Sequence, residues 1–335
     1  MKNILQKVKG GVAAMRPLAS TSSRIGFFEE YMFMERDGVI ITTNLGTDLS
    51  GMYLFKDFVK LITSTKSETL TLANDDNNNL NMVFSDTTAT LMDLTTENID
   101  DISHVINDYE WLPLPDMFSE NLALVADIAA KEQKLGDICS VCITDDSIQG
   151  TDNRRAISIK IPRLGIEWNM FFLSSIMKGI SKSALTEFAK VNKNVVAFYS
   201  EDRKTTFYVP MVDADYLEIR EFIESKMPGK NTKVEDVTIP PELIKLCKEL
   251  SQFSADTEDM AKTVHVAFDK KTITVEARSD YASVKKKIQN TTKLDNFHFD
   301  VNPDTVTSIL MDGRCFLHGD FMFIVKDNKK LLVGL

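Results

Sequence analysis

Cys139 and Cys142 stand in a C-x-x-C inside "DICSVCITDD", a spacing that redox pairs and zinc sites use. Such a pair needs a helix start or a tight turn to bring both sulfurs together. Here the flanking residues are β-branched, and residues i and i+3 of a strand face opposite sides of a sheet. Two ordinary strand cysteines are the expectation, and four cysteines in 335 residues argue against a disulfide framework. The four histidines, His104, His265, His298 and His318, are scattered, with neither H-E-x-x-H nor G-x-S-x-G among them. "KGGVAAM" lacks the G-K-[ST] ending of a phosphate loop. Asp75-Asp76 and Asp145-Asp146 could offer carboxylates to a metal, but each pair falls at an expected hairpin turn, where adjacent acids are usually solvated. No catalytic residue, metal ligand or cofactor is assigned, and an enzyme is not expected.

The remaining chemistry is charge. The net charge of −10 speaks against a nucleic-acid partner, but its distribution is uneven. Lys2, Lys7, Lys9, Arg16 and Arg24 occupy the segment to Phe28 without one acidic residue, and Lys178, Lys182, Lys190 and Lys193 face only Glu187 between Leu173 and Asn194. Basic segments in an acidic chain bind a phosphate backbone if folding gathers them on one face; otherwise they are solvated helix faces.

The elements that must position these groups recur. Ile4, Leu5, Val8, Val12 and Met15 have helical spacing, ended at Arg16-Pro17, and "FKDFVKLITST" repeats it with Phe55, Phe58, Val59 and Ile62. Strands are expected in "IGFFEEYMFMERDGVIITTN", turning at Arg36-Asp37-Gly38, and in "ETLTLAND", "NLNMVFSD" and "TATLMDL", with Asn74 to Asn79 as a loop. The middle third reads helix ("SENLALVADIAAKEQ", Ser119 as its start), strands, helix ("FLSSIMKGISKSALTEFAKV", broken near Gly179–Ser183), and a hairpin turning at Ser200 to Lys204. The last third reads helix ("TIPPELIKLCKELSQF"), strands, helix ("NPDTVTSILMDG") and a final hairpin at Asp327-Asn328. Asp48, Asp152 and Asp280 mark matching places in the three copies. Repeats of this size are domains rather than solenoid turns. Breaks are expected after Pro115 and within Lys226 to Asp236, giving α+β domains at 1–115, 116–230 and 231–335.

Three tandem copies of this plan resemble the bacterial-type DNA sliding clamp, the DNA polymerase III beta subunit family. "DGVIITTNLGTDLSGMY" is similar to the family's first-domain run, "GTDNRRAISIKIP" to its second-domain T-D-G-H-R-L signature, and "AAMRPLAS" to the stretch after its first helix. The tail "KKLLVGL" falls where clamps finish. Glycine, histidine and leucine of the signature are replaced by Asn153, Arg154 and Ala156, and the tail's usual Pro-Met by Val333-Gly334, as in a divergent, phage-encoded member.

The resemblance implies helices lining a ring, antiparallel sheets outside it, and a head-to-tail homodimer around double-stranded DNA, held without base readout. The DNA-facing candidates are Lys7, Lys9, Arg16, Arg24, Lys178, Lys182, Lys190, Lys193, Lys245 and Lys248. It also implies a groove in which DNA polymerase and clamp loader dock short peptides, built from Thr151, Asn153, Arg154, Arg155, Ala156, Leu332, Val333 and Leu335. The competing reading is a repeat-built viral structural or assembly protein with no DNA-tethering role. No apolar run approaches the roughly 18–20 residues that cross a bilayer, and no signal peptide is expected at the N-terminus, so the location expected is cytoplasmic.

Overall fold

A computed structural model of the chain describes residues 4–85, 87–94, 102, 105–129, 140–152, 155–202, 204–214, 218–229, 232–253, 264–279, 282–292, 294–301 and 313–334. In chain order the elements are α1 (Ile4–Met15), β1 (Arg24–Phe28), β2 (Tyr31–Arg36), β3 (Val39–Asn44), β4 (Gly51–Leu54), α2 (Phe55–Ser64), β5 (Leu70–Asn74), β6 (Leu80–Phe84), β7 (Thr88–Leu91) and β8 (Leu112–Pro113). There follow α3 (Phe118–Ile128), β9 (Ser140–Ile143), β10 (Ser147–Thr151), β11 (Arg155–Lys160), β12 (Met170–Leu173), α4 (Ser174–Ile180), β13 (Leu185–Lys190), β14 (Val195–Ser200), β15 (Thr205–Pro210) and α5 (Ile219–Lys226). The remainder is β16 (Glu235–Val237), α6 (Pro241–Leu250), a short 3-10 turn, β17 (Val264–Phe268), β18 (Thr272–Arg278), β19 (Ser283–Gln289), β20 (Phe297–Val301), β21 (Arg314–His318), β22 (Phe321–Lys326) and β23 (Lys329–Gly334). The third domain's second expected helix, "NPDTVTSILMDG", lies almost wholly outside the described residues, as do His104, Cys139, Asn153, Arg154, Asp280 and Leu335.

The chain forms two compact units, residues 1–119 with 179–212, and 120–178 with 213–335. The first holds an eight-stranded sheet in the order β4-β1-β2-β3-β15-β14-β13-β8 and a three-stranded sheet β5-β6-β7. Its core buries Val8 and Met15 of α1 together with Ile25, Phe27 and Phe58, and Phe27 meets both Tyr53 and Phe58 edge-on at 5.8 Å. Each such apolar side chain, fully withdrawn from water, contributes about 1.5–3 kcal/mol. The second unit holds an eight-stranded sheet β12-β9-β10-β11-β23-β22-β21-β16 and a four-stranded sheet β19-β18-β17-β20. Every described pairing is antiparallel, and the fold is a mixed helix-and-sheet one.

Sheet order shows which strands correspond. β4-β1-β2-β3, β12-β9-β10-β11 and β20-β17-β18-β19 are the same four-strand arrangement, with a hairpin between the last two members. That hairpin turns at Asp37-Gly38 in the first and at Asp152 in the second, so Asp37, rather than Asp48, is the counterpart of Asp152. Asp48 belongs to the later link between β3 and β4. Asp37 and Gly38 both take positive φ (52° and 76°), the left-handed pair that a tight hairpin turn needs and glycine supplies most cheaply.

Two further expectations are corrected. "SALTEFAK" is strand β13, not the second half of a helix: pairing of Phe188 with Phe198 and of Ala189 with Ala197 on β14 overrides its helical propensity. Ser119 does not start α3; it lies within the helix, and its hydroxyl accepts the Leu185 amide at 2.9 Å.

Candidate functional site

In the second unit, the β10–β11 hairpin, the β22–β23 hairpin and α5 enclose a cavity of about 660 Å³. Thr151, Arg155 and Ala156 form one wall, and Glu218, Ile219, Glu221, Phe222 and Ser225 form the facing helical wall. Phe321, Leu332 and Gly334 contribute from the last two strands. The floor is continuous with a buried cluster of Ala156, Ile219, Ile223, Phe316, Phe323 and Leu332, in which Phe316 and Phe323 stack at 5.2 Å. At the mouth, Phe222 remains 45% exposed, edge-on to Phe321 at 6.4 Å, with Lys226 Nζ 5.5 Å above its ring. Phe222 thus presents its ring at the cavity mouth, while Ile219 and Ile223 of the same helix turn into the core.

The helix is held by three devices. Ile219 and Ile223 are its buried stripe. Gln149, itself 1% exposed on β10, accepts the Arg220 amide at 3.1 Å and donates to Ser147 Oγ at 2.7 Å, satisfying an amide that the helix start would leave unpaired. Arg220 Nη1 reaches both Asp146 oxygens at 3.0 and 2.9 Å, and that hydrogen bond raises the guanidinium's already high pKa. Asp145 accepts the amides of Gly165 and Ile166 at 2.8 and 3.2 Å. The Asp145-Asp146 pair is therefore structural rather than merely solvated. Asp75 likewise closes its own loop, with Asn79 and the Asn77 and Asn79 amides holding its carboxyl below the usual range.

Of the groove residues expected from sequence, Thr151, Arg155, Ala156 and Leu332 do line this cavity. Val333 is buried in the strand ladder opposite Arg155 and Met322 instead. The entire α5 wall and Phe321 were not anticipated. Their signal is the spacing Ile219, Phe222, Ile223 within "EIREFIESKM", obscured by the linker-like Pro-Gly-Lys that follows. Arg155 is not free to meet a ligand: its Nε and Nη2 donate to Asp152 Oδ2 at 2.8 and 2.6 Å, both side chains largely buried.

The basic candidates disperse over several elements. Lys7 and Lys9 lie on α1, Arg16 follows it, and Arg24 opens β1. Lys178 ends near the C-terminus of α4, while Lys245 and Lys248 lie on α6. Lys182 sits in the turn after α4, Lys190 ends strand β13 and Lys193 occupies the turn beyond it, so these three are not helical. Lys7 Nζ donates to Leu45 O at 3.1 Å, and Lys178 forms an ion pair with Asp127 at 2.5 Å. Lys9 and Arg16 share a shallow depression of about 280 Å³ with Thr63 and Thr65 at the end of α2. That helix adds exposed Lys56 and Lys60, which are not among the candidates expected from sequence.

Among the described residues no group of three or more His, Cys, Asp or Glu side chains could hold a metal ion. Burial pushes the Cys142 and Cys247 thiols up to about 12 and Cys315 up to about 11. No helix among the described residues is long and apolar enough to cross a membrane.

No protein-family model and no curated protein matches the sequence. Solved structures do match. The DNA polymerase III beta subunit of Thermotoga maritima aligns over 98% of this chain and 97% of its own, with a TM-score of 0.68 at 11% identity. The DNA polymerase sliding clamp of Bacillus subtilis aligns over the same shares with a TM-score of 0.65 at 11% identity. The beta clamp of Helicobacter pylori, in a structure bound to a DNA ligase peptide, covers 98% of this chain and 96% of its own, with a TM-score of 0.63 at 12% identity. At 11–12% identity the likeness is one of structure rather than sequence, and the chain has the fold of the bacterial DNA sliding clamps.

Proposed function

We propose that this protein is a DNA sliding clamp, a non-catalytic processivity factor that closes head to tail into a dimeric ring around duplex DNA in the cytoplasm. The observation that carries the reading is a joint made twice. β3 pairs with β15, and β11 pairs with β23, each joining the four-strand arrangement of one third to the closing strands of the next. The three thirds are the domains 1–115, 116–230 and 231–335. Two members of the same series have no such neighbour among the described residues: β19 and β7 are both sheet edges. Joining β19 of one copy to β7 of another repeats the joint a third time, and twice over in a dimer, which closes a ring of six domains. Lys9, Arg16 and the other exposed basic residues then meet phosphates without reading bases. The 660 Å³ cavity receives a short peptide of polymerase or loader, as the Helicobacter pylori clamp receives a ligase peptide.

The joint sets its own test. Ala156 opposes Leu332 across the β11–β23 joint. By position after their turns, Ser283 corresponds to Ala156 and Thr90 to Leu332. Thr90→Cys with Ser283→Cys, in a Cys139→Ser background, should cross-link into a covalent dimer with a short bismaleimide, because the described native thiols are buried. Cross-linked on a nicked circular plasmid, that dimer should survive molar salt and leave only when the plasmid is cut. Release from circle and linear alike would sink the topological reading.

A further inference from the structure

We infer that the groove selects a peptide with lysine or arginine beside its apolar anchors. This deepens the peptide-groove reading above and rests on it. Five of the lining residues are polar or charged, and three of those are already engaged. The Thr151 hydroxyl donates to Arg155 O at 2.7 Å, and Ser225 Oγ donates to Phe222 O at 2.7 Å. The Arg155 guanidinium is folded onto Asp152. Two carboxylates are left, Glu218 and Glu221, both exposed on the helical wall and neither ion-paired nor hydrogen-bonded through its side chain to a described residue.

Spacing places these charges usefully. Glu218 and Glu221 lie one turn apart, beside Phe222, so both follow the line along which a bound segment would run. Among the described residues, two cations near them are already paired: Arg220 with Asp146 and Lys330 with Glu224. The Lys226 ammonium lies over the Phe222 and Phe321 rings, one helical turn past Phe222 as Glu218 is one turn before it. An acidic flank on the peptide would face two like charges across a short gap, and a basic flank would gain two exposed ion pairs. Exposed pairs are individually weak, so each carboxylate should account for about a threefold change in affinity at low salt.

The test uses the intact chain and three labelled decapeptides with the same leucine and phenylalanine anchors, flanked by two lysines, two serines or two glutamates. Fluorescence anisotropy should rank them lysine, serine, glutamate, with about tenfold between the extremes, and the spread should shrink as salt screens the pairs. Glu218→Gln with Glu221→Gln should erase the ranking, so that the three peptides bind with one affinity. Equal affinities, or preference for the glutamate peptide, would overturn the charge assignment while leaving the groove. If none of the three peptides binds, the groove reading falls, and the inference with it.

Discussion

Phe222 and Ile223 are neighbours on α5 that should fail in opposite ways. Ile223 is 0% exposed within the cluster of Phe316, Phe323 and Leu332. Cutting it to alanine removes buried methylenes and leaves a cavity, at a cost of about 3 kcal/mol. For a unit of this size that lowers Tm by about 6–12 °C. Phe222 is 45% exposed and has one edge-on ring neighbour and one overlying ammonium. Its truncation should cost the fold no more than about 1 kcal/mol. In the groove the order reverses. An aromatic at the mouth of a desolvated pocket carries about 2 kcal/mol or more of binding, so Phe222→Ala should raise the Kd of the lysine-flanked peptide about 30-fold. Thermal melts and anisotropy on the two variants decide the matter. A Phe222→Ala protein that binds within about threefold of wild type would refute the aromatic mouth as the anchor site. An Ile223→Ala protein with an unmoved melt would refute the packing of α5.

Acid should loosen the β18–β19 hairpin. Glu276, its side chain 6% exposed, takes hydrogen bonds from Arg278, Lys285 and Ser283, with Arg278 the largest cause of a pKa pushed down to about 2. A carboxyl depressed on folding stabilises above its unfolded pKa, near 4.5, and loses that contribution as pH falls towards 2. Urea unfolding of wild type should weaken across that window, and Glu276→Gln should show a flatter acid limb; parallel limbs would reject the assignment. On the basic faces, Lys9→Ala with Arg16→Ala should reduce the slope of log K against log salt on a short duplex by roughly one per cation removed. Lys178→Ala, whose charge Asp127 already answers, should leave that slope nearly unchanged. Equal slopes for all three proteins would remove the α1 depression from the DNA path.

What could be read from sequence followed the strength of local signals. The α1 and α2 stripes, the α6 start at Pro240-Pro241 and the turns at Asp37-Gly38 and Asp327-Asn328 all have local causes, and they stand where expected. "SALTEFAK" has no local reason to be a strand; its partner is β14, and only the pairing of Phe188 with Phe198 decides it. The groove was half legible for the same reason. Thr151, Arg155 and Ala156 sit in a motif, whereas the opposing wall comes from α5, separated from them by some sixty residues of sequence and fixed by one buried glutamine and one ion pair. Charge was the least legible property. Sequence shows Arg155 and Lys178 as cations, but only geometry shows that Asp152 and Asp127 have already claimed them.

The two edges left for the proposed joint, β19 and β7, bear on which way two copies would pair. β19 is seven residues long and includes Lys285, Lys286 and Lys287, while β7 is short and threonine-rich. A flat apolar edge would pair with any exposed strand, and lysine is a common guard against that. Here the guard is partly anchored: Lys285 pairs with Glu276 at 3.0 Å and Lys286 with Glu249 at 3.1 Å. In the proposed ring the lysine-bearing β19 edge repels a second β19 and meets no like charge on the uncharged β7, which favours head-to-tail pairing over head-to-head.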